Sequence, residues 1–304
     1  TSEIGASSGN ENTIKNYIQD AYETWENPPE IVGLIGDTNV IDCFHLSWGG
    51  WYGYNGATDF NYTQLDGNDL ISEIFIGRIS ARTTAKMNNI VNKTIQYEKA
   101  IYVSDEWFTK AALVGDPSQS GNSTIFTSQY IENIMINHGM TDVATNYNGQ
   151  GISNWLYDQF EDGILYYNYR GIYGAQGTWP GNDQYYNGYK TPFATVMTCG
   201  TGDFDAGSNY PSATEEFVNL GSVNTPEGAV AAVGFSTSGT HTAYNNIVTM
   251  GIYDGIFPKK LWYAGAAEAN GDLAILATYP SNPNDATEAF ISWSNLIGDP
   301  ALHL

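Results

Sequence analysis

Apolar residues follow two alternating patterns along this chain. Short continuous runs, of which residues 111–116 are typical, predict buried strands, and apolar positions three or four residues apart predict helices. The predicted strands cover residues 31–37, 74–78, 111–116, 163–169, 193–198 and 229–235, and the predicted helices cover residues 14–23, 84–101, 123–138, 152–160, 245–256 and 261–277. Strands that alternate with helices favour an α/β fold, in which helices cover both faces of a mostly parallel sheet.

The charge balance excludes several classes of partner. The 304 residues carry 33 acidic and 11 basic side chains, which gives a formal net charge of -22. Nucleic acid and anionic membranes repel such a surface, so we expect neither as a partner. No stretch has the length and apolarity of a membrane span. The first residues have neither the basic start nor the apolar core of a signal peptide, so we expect a mature or excised fragment.

Acidic side chains fall in two groups that suggest calcium. The groups are Asp66, Asp69 and Glu73, and Asp203, Asp205 and Glu215. Calcium takes several oxygen ligands, and a cation offsets the repulsion between crowded carboxylates, so we expect a structural calcium ion. Neither group has the spacing of an EF-hand loop. The alternative is an acidic face that only interacts with water.

Cys199 is the candidate nucleophile. It ends the predicted strand 193–198 and is followed by Gly200-Thr201-Gly202. Strand ends in open α/β sheets favour ligands and catalysis, and glycines let backbone N–H groups approach a bound carbonyl. The alternative is that Cys199 is a small buried apolar side chain. Cys43 fits the core. The two cysteines could form one disulfide, although the sequence does not require it, and their spacing does not indicate a zinc site.

An ordered set of short motifs resembles the gingipain-like cysteine peptidases. The motifs are LIGD (34–37), GND (67–69), FIGR (75–78), YE (97–98), TCGTGDF (198–204) and NLIGDPAL (295–302). The resemblance runs from about residue 31 to the end of the chain. It implies a caspase-like fold with a smaller, incomplete N-terminal α/β sub-domain at 1–105 and a catalytic sub-domain at 106–304. It also implies further C-terminal modules outside this chain and an extracellular or cell-surface location.

The resemblance assigns roles to particular residues. Cys199 matches the nucleophile of the family, Asp116 matches the acid that orients the catalytic histidine, and Gly171 matches the oxyanion donor. Ile172 occupies the place of the catalytic histidine. The acid that selects basic side chains in arginine-specific members falls near Thr124. We therefore expect cleavage after uncharged or apolar residues. Substrate contacts are assigned to Thr124, Tyr173 and Trp179.

The missing histidine leaves the base to be found elsewhere. Only the thiolate of a cysteine attacks, so the thiol needs a base or an electropositive site. His241 is the candidate base, because it follows a predicted strand in a loop of Ser, Thr and Gly. A structural role for His241 is the alternative. Arg170 offers a second way to stabilise a thiolate, by charge alone, and its alternative is a surface or carboxylate-paired arginine.

Two functions follow from these residues. The first is a secreted cysteine endopeptidase that cleaves proteins through Cys199. The second is a catalytically dead pseudopeptidase that binds protein, or glycan through the aromatic loop 48–54. Ile172 favours the pseudopeptidase, whereas Cys199, Asp116 and the glycine turns favour the enzyme.

Overall fold

An eight-stranded sheet forms the centre of the protein. The computed structural model describes residues 11–49, 54–67, 69–101, 106–172, 175, 177–180, 185–205 and 211–304. The strands of the sheet are β1 (Ile31–Ile35), β4 (Phe75–Ile79), β5 (Lys110–Gly115), β6 (Asp142–Asn146), β7 (Tyr166–Arg170), β8 (Phe193–Val196), β9 (Ala231–Phe235) and β10 (Ser294–Ile297). They lie in the order β1-β4-β10-β9-β8-β7-β5-β6. Neighbouring strands run parallel except β9 and β10, which are antiparallel. The predicted α/β fold with a mostly parallel sheet is therefore confirmed.

Helices cover both faces of this sheet. They are α1 (Glu11–Thr24), α2 (Thr84–Glu98), α3 (Ser123–Asn137), α4 (Ile152–Asp162), α5 (Ala213–Asn219), α6 (Thr242–Ile256), α7 (Ala264–Thr278) and α8 (Ala286–Trp293). Side chains alternate across each strand. Leu113 of β5 thus joins a core with α3, α6, α7 and α8, whereas Val114 joins a second core with α4 and α5. The apolar runs are buried on both faces, as a parallel sheet requires.

A two-stranded hairpin packs outside the main sheet. Its strands are β2 (Phe44–Trp48) and β3 (Tyr54–Thr58), paired antiparallel. A side chain at Gly56 would place its Cβ 2.6 Å from the indole of Trp293, so this close approach requires glycine. Trp48 packs its ring edge against Phe290 and Trp293. The ends of the predicted aromatic loop therefore contact the core, and residues 50–53 lie outside the described part of the chain.

Strands from both predicted sub-domains share the one sheet. β1 and β4 lie before residue 105, and β10 joins them to β9. The division into sub-domains at 1–105 and 106–304 stays a prediction. Among the described residues, no helix has the length and apolar character needed to cross a membrane.

Candidate active site

The carboxyl ends of four parallel strands bring the predicted catalytic residues to one edge of the sheet. Asp116 follows β5, Gly171 follows β7, Cys199 follows β8 and Thr240 follows β9. Ligands in open α/β sheets bind in crevices at such an edge. Residues that are distant in sequence thus meet because their strands end side by side.

The loop that carries Cys199 is fixed to the end of β9. The Gly200 N–H donates to the Thr237 carbonyl at 2.7 Å, and the Gly202 N–H donates to the Phe235 carbonyl at 2.9 Å. Gly200 has a φ of +66°, a left-handed conformation that glycine adopts without strain. The thiol is partly exposed and is a free cysteine. The sequence pattern thus places an accessible sulfur at the sheet edge.

The Cys199 sulfur contacts a hydroxyl that the sequence did not point to. Sγ lies 3.0 Å from Thr240 Oγ1, which also accepts a hydrogen bond of 2.9 Å from the Asn245 amide. With Asn245 donating to its oxygen, the Thr240 hydroxyl can turn its own proton toward the sulfur. Thr240 precedes α6 by two residues, so the sulfur also lies near the positive end of that helix. Both features present a positive electrostatic end to the position of the sulfur.

Arg170 holds a buried positive charge near enough to this sulfur for the two groups to interact electrostatically. Its side chain is fully buried at the end of β7, and Nε and Nη2 donate to Asn246 Oδ1 at 2.8 and 2.6 Å. Nη1 donates to the Met197 carbonyl. Burial lowers the pKa of Arg170 to about 10, and the negative charge of a Cys199 thiolate acts in the opposite direction. Within the described chain, these hydrogen-bond partners are all neutral, so no carboxylate among them offsets the buried charge.

Asp116 and Gly171 form one packed unit behind the nucleophile. Asp116 is fully buried, and its Oδ1 accepts hydrogen bonds from the Ser118 N–H at 3.0 Å and the Ser118 hydroxyl at 2.5 Å. A Cβ on Gly171 would lie 2.9 Å from the Asp116 Cβ, so only glycine fits. The Gly171 carbonyl accepts from Ser120 Oγ at 2.8 Å. Ile172 follows, partly exposed, and offers no proton-transfer group at this place. The oxyanion role of Gly171 stays a prediction.

His241 begins α6 and lines a cleft. Its Nδ1 accepts a hydrogen bond of 3.2 Å from the Ala243 N–H, which caps the helix. In the neutral ring the proton then sits on Nε2. The cleft has a volume of about 670 Å³, and its lining includes His241, Trp48, Tyr244 and Asp285. His241 directly follows Thr240, the residue that contacts the thiol. Its role as the base stays a prediction.

The predicted substrate-binding residues lie in different surroundings. Thr124 is fully buried, and its hydroxyl donates to the carbonyls of Asp116 at 2.9 Å and Gly121 at 3.0 Å. Trp179 is partly exposed. Tyr173 lies outside the described residues. The substrate-binding roles of all three stay predictions.

The first group of predicted calcium ligands forms local hydrogen bonds. Glu73 Oε2 accepts from the Leu65 N–H at 2.7 Å, and Asp69 Oδ1 accepts from the Ile71 N–H at 2.9 Å. Asp66 is exposed. These contacts are those of an ordinary turn, and they do not require an ion.

The second group is divided between two places. Glu215 is buried and closes a capping box with Ser212 at the start of α5, and it also accepts from Ser80 Oγ at 2.7 Å. Asp205 instead pairs with His45, at 2.8 Å between Oδ2 and Nε2. Burial and the charge of Asp205 raise the pKa of Asp203 to about 6. Among the described residues, the set of three potential ligands whose atoms lie close together is Cys43, His45 and Asp205, and neither predicted calcium group forms such a set. Calcium binding stays a prediction.

Comparison with known proteins decides the family. Residues 1–304 match the model described as peptidase family C25. The chain belongs to peptidase family C25. The resemblance drawn from the short motifs is therefore confirmed, and the chain is a cysteine peptidase domain of the gingipain-like type.

Relatives of this C25 domain include gingipains of Porphyromonas gingivalis. The chain is 26% identical to gingipain R2 over 310 residues, which cover 96% of this chain and 40% of the relative. It is 29% identical to Lys-gingipain W83 over 162 residues, which cover 50% of this chain and 8% of the relative. The chain thus spans about two-fifths of the length of gingipain R2.

Solved structures show the same fold. The crystal structure of the Arg-specific cysteine proteinase gingipain R aligns with a TM-score of 0.84 at 24% identity, covering 97% of this chain and 68% of that one. The structure of the RgpB pro- and mature domains in complex aligns with a TM-score of 0.83 at 25% identity, covering 97% and 70%. The predicted caspase-like fold of the C25 domain agrees with these alignments.

Proposed function

We propose that this C25 domain is an active cysteine endopeptidase whose nucleophile, Cys199, is held as a thiolate by the charge of Arg170. The observation that carries this proposal is the buried guanidinium of Arg170, which interacts electrostatically with Cys199 and has neutral hydrogen-bond partners in the described chain. A buried charge without a counter-ion is costly. A thiolate next to Arg170 reduces that cost, and the thiolate is the reactive form of cysteine.

The reaction proceeds in two steps from this ground state. The Cys199 thiolate forms a bond to the carbonyl carbon of the substrate peptide, and the electron pair of the carbonyl moves onto its oxygen. The backbone N–H of Gly171 is the proposed donor to that oxygen. The intermediate then collapses and the C–N bond breaks, so the leaving amine must gain a proton. Water then hydrolyses the thioester and restores Cys199.

His241 is the proposed proton donor to the leaving amine. Its Nδ1 accepts from the Ala243 N–H, and it cannot both accept there and carry a proton. The ring must therefore leave this helix cap before it can act as an imidazolium. A thiolate stabilised by the charge of Arg170 is compatible with His241 in the helix cap, because the thiol then needs no base in contact with the sulfur.

The proposed specificity is for uncharged or apolar residues before the cut. The place of the acid that selects basic side chains falls near Thr124, whose buried hydroxyl donates hydrogen bonds to backbone carbonyls. A hydroxyl does not offset the cost of burying a guanidinium. The described residues that line the cleft beside His241 include two aromatic side chains, Trp48 and Tyr244, and the acid Asp285.

A peptide-library digest tests activity and specificity together. The wild type should cleave after uncharged residues, Cys199→Ala should cleave nothing, and Cys43→Ser should behave as the wild type. Cleavage mainly after Arg or Lys would contradict the specificity and direct attention to Asp285. Cleavage that persists in Cys199→Ala would contradict the assignment of the nucleophile.

Ile172 favours a second candidate function. With isoleucine in the place of the family's histidine, the domain would act as a pseudopeptidase that binds protein or glycan. No cleavage of any library peptide, together with a Cys199 thiol that iodoacetamide alkylates no faster than a free model thiol, would establish this candidate instead.

We also propose that the domain acts outside the cell or at its surface, as the resemblance to gingipains implies. Fractionation of the source cells with an antibody against the domain tests this location. Recovery in the cytoplasmic fraction alone would contradict it.

A further inference from the structure

A second thiol lies close to a histidine and an acid, away from the catalytic thiol. Cys43 directly precedes β2, and His45 is two residues further along that extended segment. Side chains two residues apart in a strand point to the same face. Asp205 reaches the same place from the loop that follows Cys199, with its Oδ2 2.8 Å from His45 Nε2.

The three side chains already have the spacing of a metal site. Their ligand atoms all lie within 4.8 Å of one another. A tetrahedral ion with bonds of about 2.0 to 2.2 Å would separate the nitrogen and oxygen by about 3.3 Å, so the His45–Asp205 pair would open by about half an ångström. Cys43 is buried, whereas the side chains of His45 and Asp205 are 44% and 33% exposed. An ion can therefore enter from the solvent side and meet the thiol at the base of the site.

The types of donor select the metal. Thiolate and imidazole are ligands for zinc and similar transition metals, whereas calcium takes oxygen ligands only. We propose that Cys43, His45 and Asp205 bind one zinc-class divalent ion, with water as its fourth ligand.

The surrounding charges favour a cation at this place. Asp203 lies near enough to Asp205 and His45 for their charges to interact, and Asp42 and Asp59 do the same for Cys43. The nearby cation Arg78 is occupied by Asp59, with bonds of 2.7 Å to both carboxylate oxygens. A bound divalent ion would balance the negative charges of its two anionic ligands, the Cys43 thiolate and the Asp205 carboxylate, and so reduce their repulsion of the nearby acids.

The ion would join two parts of the fold. Cys43 and His45 belong to the segment of the hairpin strand β2, and Asp205 belongs to the loop that begins at Cys199. Binding would fix the far end of the catalytic loop to the hairpin. The site is nevertheless separate from the proposed catalysis, because none of its ligands takes part in the reaction.

Cobalt(II) gives a direct test, since thiolate ligation to Co²⁺ produces a charge-transfer absorption band. The reduced wild-type chain should bind one Co²⁺ with this band, and one equivalent of Zn²⁺ should remove it. Cys199→Ser should keep the band and Cys43→Ser should lose it. His45→Gln changes an exposed side chain and should bind at least about tenfold more weakly while the far-UV circular dichroism stays unchanged.

Three results would overturn the site. They are a wild type without the band, a band that survives Cys43→Ser and disappears in Cys199→Ser, and displacement of Co²⁺ by an equal concentration of Ca²⁺. None of these readouts depends on peptidase activity, so an inactive domain would leave the metal result intact.

Discussion

Two buried arginines in this protein have opposite surroundings. Arg78 forms a salt bridge with Asp59. Burial alone would lower the pKa of Arg78, but the nearby carboxylate raises this pKa overall. Arg170 donates to an amide and to carbonyl oxygens, and burial lowers its pKa to about 10. The contrast identifies Arg78 as a structural ion pair. Arg170 has no carboxylate among its hydrogen-bond partners in the described chain, and this difference motivates its proposed role beside Cys199.

Removing the charge of Arg170 should slow the alkylation of the Cys199 thiol. Arg170→Met keeps most of the side-chain volume without the charge, and we expect iodoacetamide to alkylate Cys199 at pH 7 at least about tenfold more slowly, because a nearby opposite charge favours the ionised form by about that factor or more. Arg170→Lys keeps the charge and should react nearly as fast as the wild type. Mass spectrometry of the adduct measures the rate.

A Cys43→Ser background assigns the adduct to Cys199, and the unfolding midpoint of each variant separates reactivity from stability. Equal rates in Arg170→Met and Arg170→Lys, with both proteins folded, would show that the charge is not what activates the thiol.

The candidate residues at strand ends were predictable from the sequence, whereas the residues that reach the same edge through helix packing were not. Cys199, Asp116 and Gly171 follow apolar runs directly, so their common edge was predictable. Thr240 and Asn246 contact the site only because α6 packs beside β7 and β8. Their sequence context, a hydroxyl and an amide near a helix start, is too common to indicate a role.

At the scale of elements, helix α7 carries an acidic pair in its buried face. Glu268 and Asp272 lie one helical turn apart and are both buried. Burial raises the pKa of Glu268 to about 7, and burial together with the charge of Glu268 raises the pKa of Asp272 well above its ordinary value. The helix therefore packs best with this pair protonated.

The pair should make stability depend on pH. An unfolded glutamate loses its proton near pH 4.5, whereas folded Glu268 keeps it until about pH 7. The folded state therefore holds more protons between these pH values. The contribution of Glu268 to the free energy of unfolding is full below about pH 4.5 and is lost as pH rises through about 7. We expect Glu268→Gln to stabilise the protein by roughly 3 kcal/mol at pH 8 and by little at pH 4.5. Urea unfolding at both pH values measures the difference.

Glu26→Gln makes the same substitution at an exposed position and provides the matched control. It should leave the free energy of unfolding unchanged at both pH values. A constant difference between Glu268→Gln and the wild type at pH 4.5 and pH 8 would contradict the proposed protonation.

The elements that the sequence predicted are those with strong local patterns. α1, α3 and β5 appear within a few residues of their predicted positions. The hairpin β2–β3 and the strand β10 were not predicted. β10 has only four residues and β3 contains Gly56, so their strand character comes from their neighbours, Trp293 and β9 among them.

The whole molecule carries a net charge of -22, and self-repulsion on that scale weakens a compact state. This charge is now the main support for bound calcium, since the described carboxylates of the predicted groups form local contacts. We expect the melting temperature in millimolar Ca²⁺ to exceed that in chelator, because an ion that binds only the folded state stabilises it. Mg²⁺ and a NaCl series matched in ionic strength separate specific binding from screening. Coincident melting curves in Ca²⁺ and chelator would show that no structural calcium is bound.

Among the eight strands of the sheet, β10 comes last in the sequence but third in the order of the strands. Because β10 lies between β4 and β9, strands β1 and β4 cannot pair with the rest of the sheet until residues 294–297 have been synthesised. Before that point the growing chain can form two separate partial sheets, one on each side of the place of β10. The unpaired edge strands of such partial sheets can pair with other chains. The eight-stranded sheet is therefore completed only after residues 294–297 have been synthesised.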